Sequence, residues 1–142
     1  MSHQWHDSLD NLNWDELSTL YRIAPLGDKS VENLKTAFGN SLYKCFVYDN
    51  DCLIGVGRVL ADGVDCAYIC DVAVHPDYQG TGLGKEIVSR LIELSQHHKK
   101  IILYAVAGKE PFYQKLGFKR MNTAMAIFQN QTLAIETGLI SP

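Results

Sequence analysis

The chain has 142 residues, 46% apolar and 20% charged, with a net charge of −3 and a pI near 5.9. That composition builds a folded globule, read as one domain over residues 1–142, and excludes a disordered chain. The acidic balance excludes a duplex-DNA binder living on phosphate contacts, and no apolar run approaches the roughly 20 residues of a membrane span. The opening MSHQWHDSLD has neither a basic nor an apolar leader pattern. No nucleic acid and no membrane is therefore expected as a partner, and the expected location is cytoplasmic.

Asn13–Arg22 reads as a first helix, with Trp14, Leu17, Leu20 and Tyr21 along one side and Pro25 and Gly27 breaking it. Ser30–Phe38 reads as a second, ended by Gly39-Asn40. Two strands in hairpin order follow, Leu42–Tyr48 and Cys52–Leu60, joined by Asp49-Asn50-Asp51. Gly55 and Gly57 inside the second strand predict a bulge or a close backbone approach. After Asp62-Gly63 comes Cys66–Val74, apolar nearly throughout and so read as a central strand ended by Pro76.

Leu83–His97 is the clearest helix, striped by Leu83, Ile87, Leu91 and Leu94. His97 and His98 at its end read as solvated. Ile101–Ala105 reads as a strand, Glu110–Leu116 as a short helix stopped by Gly117, and Ala124–Phe128 as a last strand. The order of two helices, three strands, helix, strand, helix and strand gives an α/β (α+β) sheet with helices on both faces. Cys45, Cys52, Cys66 and Cys70 form no C-x-x-C pair and no His stands at finger spacing from them. They read as four reduced, buried thiols, and no metal is expected.

Three glycines fall in Gln79-Gly80-Thr81-Gly82-Leu83-Gly84, between a buried strand and the best helix. A strand, a glycine-rich loop and a helix N-terminus make a ready anion site, because unpaired N–H groups point outward and glycines admit a phosphate to them. The dinucleotide pattern G-x-G-x-x-G fails, since the third glycine falls one residue early. The phosphate loop G-x-x-x-x-G-K-[ST] fails at Gln79 and again at Glu86.

The stretch Asp71-Val72-Ala73-Val74-His75-Pro76 through Gly84 resembles the acetyl-CoA signature [QR]-x-x-G-x-[GA] of the GNAT superfamily of N-acyltransferases. Pro111-Phe112-Tyr113-Gln114-Lys115-Leu116-Gly117-Phe118 resembles that family's F-Y-x-x-x-G-F segment. The resemblance covers roughly Leu20–Phe128, and its wording is nearest the arylalkylamine and serotonin N-acetyltransferase-like members. It implies a mixed, mostly antiparallel sheet splayed between its fourth and fifth strands, here Cys66–Val74 and Lys100–Ala105. It further implies pantetheine beside Val72, Ala73 and Val74, a pyrophosphate on the N–H groups of Gln79, Gly80, Thr81, Gly82, Leu83 and Gly84, and charge from Lys85.

The resemblance also implies that Tyr113 is the acid that protonates the leaving thiolate, as a phenol with a pKa near 10 can do. Its neighbour Phe112 reads as core. The histidines that supply a base in the arylalkylamine enzymes correspond here to Tyr68 and Cys70, neither of which is a resting base. Asp71 is the nearest carboxylate. It is either an unpaired candidate base and ammonium anchor or a strand-end Asp paired with Lys or Arg, and deprotonation through water is the third possibility. Tyr68, Cys70 and Tyr104 are read as substrate-lining.

Residues 1–71 hold eleven acidic and five basic side chains, a balance of −6, and residues 72–142 hold five and eight, a balance of +3. Such polarity suits a cationic acceptor on the first half and an anionic cofactor on the second. The reading is a direct, ternary-complex transfer of acetyl from acetyl-CoA to a small primary amine. The alternatives are a protein-lysine or N-terminal acetyltransferase and a non-catalytic CoA-binding module. A homodimer is left open.

Overall fold

Among the described residues, five strands form one sheet in the order β1 (Gln4–His6), β2 (Tyr43–Asp49), β3 (Cys52–Ala61), β4 (Cys66–Val74) and β5 (Lys100–Ile102). β1 to β4 pair antiparallel, and β5 lies parallel to β4. This computed structural model describes residues 3–142 and divides into two units, one reaching to Leu103 and one from Tyr104 to Pro142. No helix of the described residues is long and apolar enough to cross a membrane.

Alternation along the strands sorts the core into two layers. Phe46, Leu53, Val56 and Ala73 pack with Leu17, Leu20 and Tyr21 of α1 (Trp14–Ile23) and Leu34 and Phe38 of α2 (Val31–Gly39). Both helices start where short polar side chains cap them: Asn13 Oδ1 accepts from Glu16 N–H at 3.1 Å and Ser30 Oγ from Asn33 N–H at 3.1 Å. The opposite face, with Val47 and Val72, carries α3 (Leu83–Ser95). The mixed sheet with helices on both faces is the expected architecture.

Gly55 and Gly57 are the reason α3 sits so close. A Cβ on Gly55 would stand 2.7 Å from Ile87 Cδ1, and one on Gly57 would stand 2.7 Å from Leu91 Cδ1 and 3.1 Å from Ile87 Cγ2. Both outcomes the sequence offered occur at Gly57. The helix approaches it closely, and on its other side β4 bulges: Val56 pairs with Ala73 and Arg58 with Cys70, so Asp71 and Val72 together face Gly57.

Several expectations are corrected. Ala124–Phe128 is not a strand; it pairs with no ladder, and Met125 and Ile127 are 96% and 97% exposed. Apolar and β-branched content alone does not make a strand where no neighbour supplies hydrogen bonds. The strand expected to Ala105 ends at Ile102. The short helix is α4 (Glu110–Gln114), and α5 (Gln131–Glu136) and β1 went unseen in the sequence. Only Cys45 of the four free cysteines is buried, while Cys52 is exposed and Cys66 and Cys70 are half-buried. Phe112 is exposed rather than core. His98 is not solvated: it is 7% exposed, its Nε2 accepts from Gly63 N–H at 3.0 Å, and its Nδ1 lies 3.1 Å from the Ser95 carbonyl. In the same turn Asp62 Oδ1 accepts from the N–H groups of Val64, Asp65 and Cys66, which hold its carboxyl down at about 2.

The glycine contacts make a prediction. Gly57→Ala should lower stability by about 1–3 kcal/mol by overpacking the α3 contact. Gly39→Ala, where a Cβ meets nothing within 4 Å, should be neutral or slightly stabilising. Denaturant midpoints at unchanged slope measure both.

Candidate active site

β5 pairs with β4 only from Cys66↔Lys100 to Tyr68↔Ile102. Beyond Tyr68, β4 runs on through Ile69–Val74 without that neighbour, so the sheet opens between the two strands. The residues expected to hold a pantetheine, Val72, Ala73 and Val74, lie in the opened half. Val72 and Val74 are half-buried, and Ala73 is buried on the α1 side.

After a 3-10 turn at Pro76–Tyr78, the chain passes through Gln79–Gly82 into α3. Gly80 and Gly82 have φ of +80° and +92°, the left-handed region that glycine enters without strain. A Cβ built on either meets no atom within 4 Å, so the space over the loop is open. Gly82 caps α3 with no side chain bonded to the first turn, leaving the N–H groups of Leu83, Gly84 and Lys85 without a side-chain cap. Thr81 Oγ1 donates to the Tyr78 carbonyl, and the Tyr78 hydroxyl donates to Asp49, which pushes that phenol up to about 12. Gln79 spends its side-chain amide inward, on the carbonyls of Ala24 and Val74, each at 3.0 Å.

Asp71 takes the second of its two roles. Its Oδ2 accepts from Arg58 Nε and Nη2, both at 2.9 Å, and Lys29 Nζ stands 3.6 Å from Oδ1. Arg58 is held in turn by Ser41 Oγ at 3.2 Å and by the Phe38 ring 5.8 Å away. The Asp71 backbone sits at φ +54°, and its carbonyl accepts from the buried Tyr21 hydroxyl at 2.8 Å. Burial, then the Asp71 charge, push the Tyr21 phenol well above its ordinary value. Cys70 pairs directly with Arg58 and Tyr68 with Leu60, so both side chains share the Arg58 face. Burial pushes the Cys70 thiol up. Arg58, Lys29 and Tyr21 were missed in the sequence. A lone Asp in an apolar strand signals that a partner exists without naming it.

Tyr104 and Tyr113 belong to the second unit. Tyr113 is half-buried, its ring 5.0 Å from Phe112 and 6.1 Å from Phe118 in edge-to-face contact, and burial pushes its phenol up. Gly117 at φ +103° ends the α4 segment, and Phe118 N–H returns to the Tyr113 carbonyl at 3.2 Å. Tyr104 is 58% exposed and packs edge-on to Phe128, 5.9 Å away. A cavity of about 400 Å³ lies elsewhere in the first unit, lined by residues such as His6, Asp10, Glu16 and Tyr48; none of the site residues expected from the sequence lines it.

The profile of the Acetyltransferase (GNAT) family matches residues 6–118, which span the opened strand, the glycine loop and the Tyr113 segment. The chain belongs to the GNAT family of acetyltransferases. An uncharacterized N-acetyltransferase ycf52-like protein of Prochlorococcus marinus is 37% identical over 109 residues, 72% of this chain and 61% of that one. The ycf52 protein of Pyropia yezoensis is 33% identical over 114 residues, 76% of this chain and 66% of that one. The chain thus spans about three fifths to two thirds of these curated relatives. Among solved structures, a GNAT-family acetyltransferase of Streptococcus pneumoniae superposes with a TM-score of 0.78 at 21% identity, covering 92% of this chain and 99% of that one. A Clostridium acetobutylicum structure containing acetyl-CoA superposes at 0.68 with 17% identity, covering 92% and 98%. These two likenesses show the fold.

The GNAT loop carries a prediction. Gly82→Val forces a β-branched residue to φ +92°, which should lower stability by about 1–3 kcal/mol. It also fills the open space over the loop, so if the loop holds acetyl-CoA, the affinity of the folded variant should fall at least tenfold by titration calorimetry. Unchanged affinity would separate the loop from the cofactor.

Proposed function

We propose that the chain is an acetyl-CoA-dependent N-acetyltransferase that passes acetyl directly to a primary amine in a ternary complex. The observation that carries this reading is the opening of the sheet after Tyr68↔Ile102, next to a glycine-lined helix terminus. A strand edge accepts an extended pantetheine as it accepts another strand. The uncapped N–H groups at the loop take the pyrophosphate, with Lys85 adding charge. The family match crosses both units, which supports one N-acetyltransferase domain over 1–142. Four free cysteines support a reducing compartment, the cytoplasm in this reading.

In this mechanism the amine nitrogen attacks the thioester carbonyl carbon and the C–S bond breaks. Tyr113, kept protonated by burial, gives its proton to the departing sulfur and recovers it from solvent. Asp71, already shared by Arg58 and Lys29, holds the β4 backbone rather than taking the amine proton, which leaves to water. The Cys70 thiol, pushed up by burial, stays protonated and is no nucleophile, in keeping with direct transfer. Tyr68, Cys70 and Tyr104 line the acceptor side in this reading. A small cationic amine is the acceptor, on the strength of the −6 balance of residues 1–71. The likeness in wording to arylalkylamine enzymes points the same way.

The test is incubation of the full chain with acetyl-CoA and a panel of amines at two ionic strengths, read by mass spectrometry. Arylalkylamines and polyamines should be acetylated faster than acidic acceptors, with kcat/KM falling as salt rises. Faster transfer to a protein lysine or to an α-amine of a polypeptide would replace the small amine. Acetyl-CoA at 100 times its Kd should add about 2.7 kcal/mol to stability, and NAD should add nothing. If acetyl-CoA stabilises the fold and no amine gains acetyl, the chain is a CoA-binding module.

Tyr113→Phe keeps the ring contacts and removes the hydroxyl. It should leave the melting temperature nearly unchanged and lower the single-turnover rate by roughly 10²–10⁴. An unchanged single-turnover rate would remove Tyr113 from the chemistry.

A further inference from the structure

The side chain of Gln79 faces two carbonyl oxygens, Ala24 O and Val74 O, both at 3.0 Å from Nε2. Both partners are acceptors, so the amide nitrogen is the atom turned toward them. Each carbonyl marks an end. Ala24 is the C-cap of α1, where the last carbonyls have no partner within the helix. Val74 is the last residue of β4. One side chain therefore ties the end of a helix to the end of a strand, across 55 residues of sequence in the first case.

The same face of α1 grips the strand at a second point. Tyr21 lies three residues before Ala24, on the same side of the helix, and its hydroxyl donates to Asp71 O at 2.8 Å. The last turn of α1 thus holds the segment Asp71–Gln79 at both ends, and Gly80–Gly82 continues directly from the second hold. The glycine loop has little rigidity of its own, with φ of +80° and +92° at residues free to adopt many other conformations.

We propose that Gln79 is a positioning residue, not a cofactor-contacting one. Through Ala24 and Val74 it fixes the glycine loop relative to the opened half of β4, so that one ligand can lie along both. This rests on the acetyl-CoA reading of the site for its ligand, but the clamp itself is testable without any ligand. A residue that touched the cofactor would weaken every ligand reaching the loop. A residue that sets the distance between two half-sites weakens only the ligand that spans them.

The experiment compares the native chain with Gln79→Leu, which keeps the bulk and loses the donor, and Gln79→Arg, which keeps N–H donors. Gln79→Glu, which turns a carboxylate on the two carbonyls, is a second disrupting variant should the leucine chain fold poorly. Hydrogen exchange is measured on the unliganded proteins. The hydrogen-bonded amides on either side of the loop, Tyr78 N–H on the His75 carbonyl at 2.8 Å and Glu86 N–H on the Gly82 carbonyl at 3.1 Å, should exchange at least tenfold faster in Gln79→Leu, while those of Ile87–Leu91 stay within twofold. Acetyl-CoA and adenosine 3′,5′-bisphosphate, which reaches the loop alone, are then titrated. Gln79→Leu should bind acetyl-CoA ten- to a hundredfold more weakly and the bisphosphate within threefold of native, and Gln79→Arg should restore acetyl-CoA binding to within threefold. Unchanged loop exchange overturns the clamp. Equal losses for the two ligands make Gln79 a contact residue and overturn the positioning role. If the native chain binds acetyl-CoA at no concentration, the functional reading falls and the ligand half of this proposal with it, whereas a native chain that binds acetyl-CoA no better than Gln79→Leu loses only the clamp.

Discussion

Gly57 is the residue on which the two layers of the site converge. On one side it lets Leu91 and Ile87 descend onto β3, where any Cβ would stand 2.7 Å from Leu91 Cδ1. That contact sets the height of α3 above the sheet and with it the place of the α3 N-terminus and the loop before it. Beside it in the sheet, Gly57 faces two residues of β4 instead of one. The extra residue increases local twist and releases β4 from regular pairing. Where a side chain would demand room, the helix would lift and the loop would move with it.

The bulge sits at the charge network. Counting by twos from Ala73 and its partner Val56 puts Asp71 and Arg58 on one face, and the register shift brings Cys70 onto that face as well. Two successive residues of β4 thus share a face, and the price is a left-handed φ of +54° at Asp71. Asp tolerates that conformation better than most residues. Two 2.9 Å bonds from Arg58, the nearby Lys29 and the Tyr21 bond to its carbonyl offset what strain remains. A carboxylate so placed holds Arg58 beside the bulge. Its removal would leave Arg58, 13% exposed, without its anion, a larger loss than the pair itself is worth.

How much of this was legible depends on distance along the chain. β4 begins and ends as read, at Cys66 and Val74, because an apolar run bounded by a turn and a proline needs no remote information. The start of α3 at Leu83 follows from its stripe and the glycines before it. The Asp71–Arg58 pair was not legible, since it depends on which residues of β3 and β4 face each other, and neither strand states that register by itself. The Gln79 clamp and the Tyr21 bond join residues 50 or more apart. β1 has three residues, too few for any period to show. At Ala124–Phe128 the composition pointed to a strand that pairing does not supply, and at His98 a polar helix end is buried because Gly63 N–H needs an acceptor.

Holding a thioester and transferring its acyl group ask different things of a protein. In the proposed reading the opened strand and the bare helix terminus serve the first, and a CoA-binding module could share them entirely. Transfer needs a proton delivered to sulfur as the C–S bond breaks. A phenol raised by burial, as Tyr113 is, would be a poor donor to a thiolate in water, whose pKa is the lower of the two. The desolvation that raises the phenol also raises a thiolate leaving beside it, as burial raises the Cys70 thiol elsewhere in this chain. Donor and acceptor then move together, so burial leaves the gap between them as it is in water, and in the proposed mechanism Tyr113 would act by delivering its proton as the C–S bond breaks rather than by a shifted pKa.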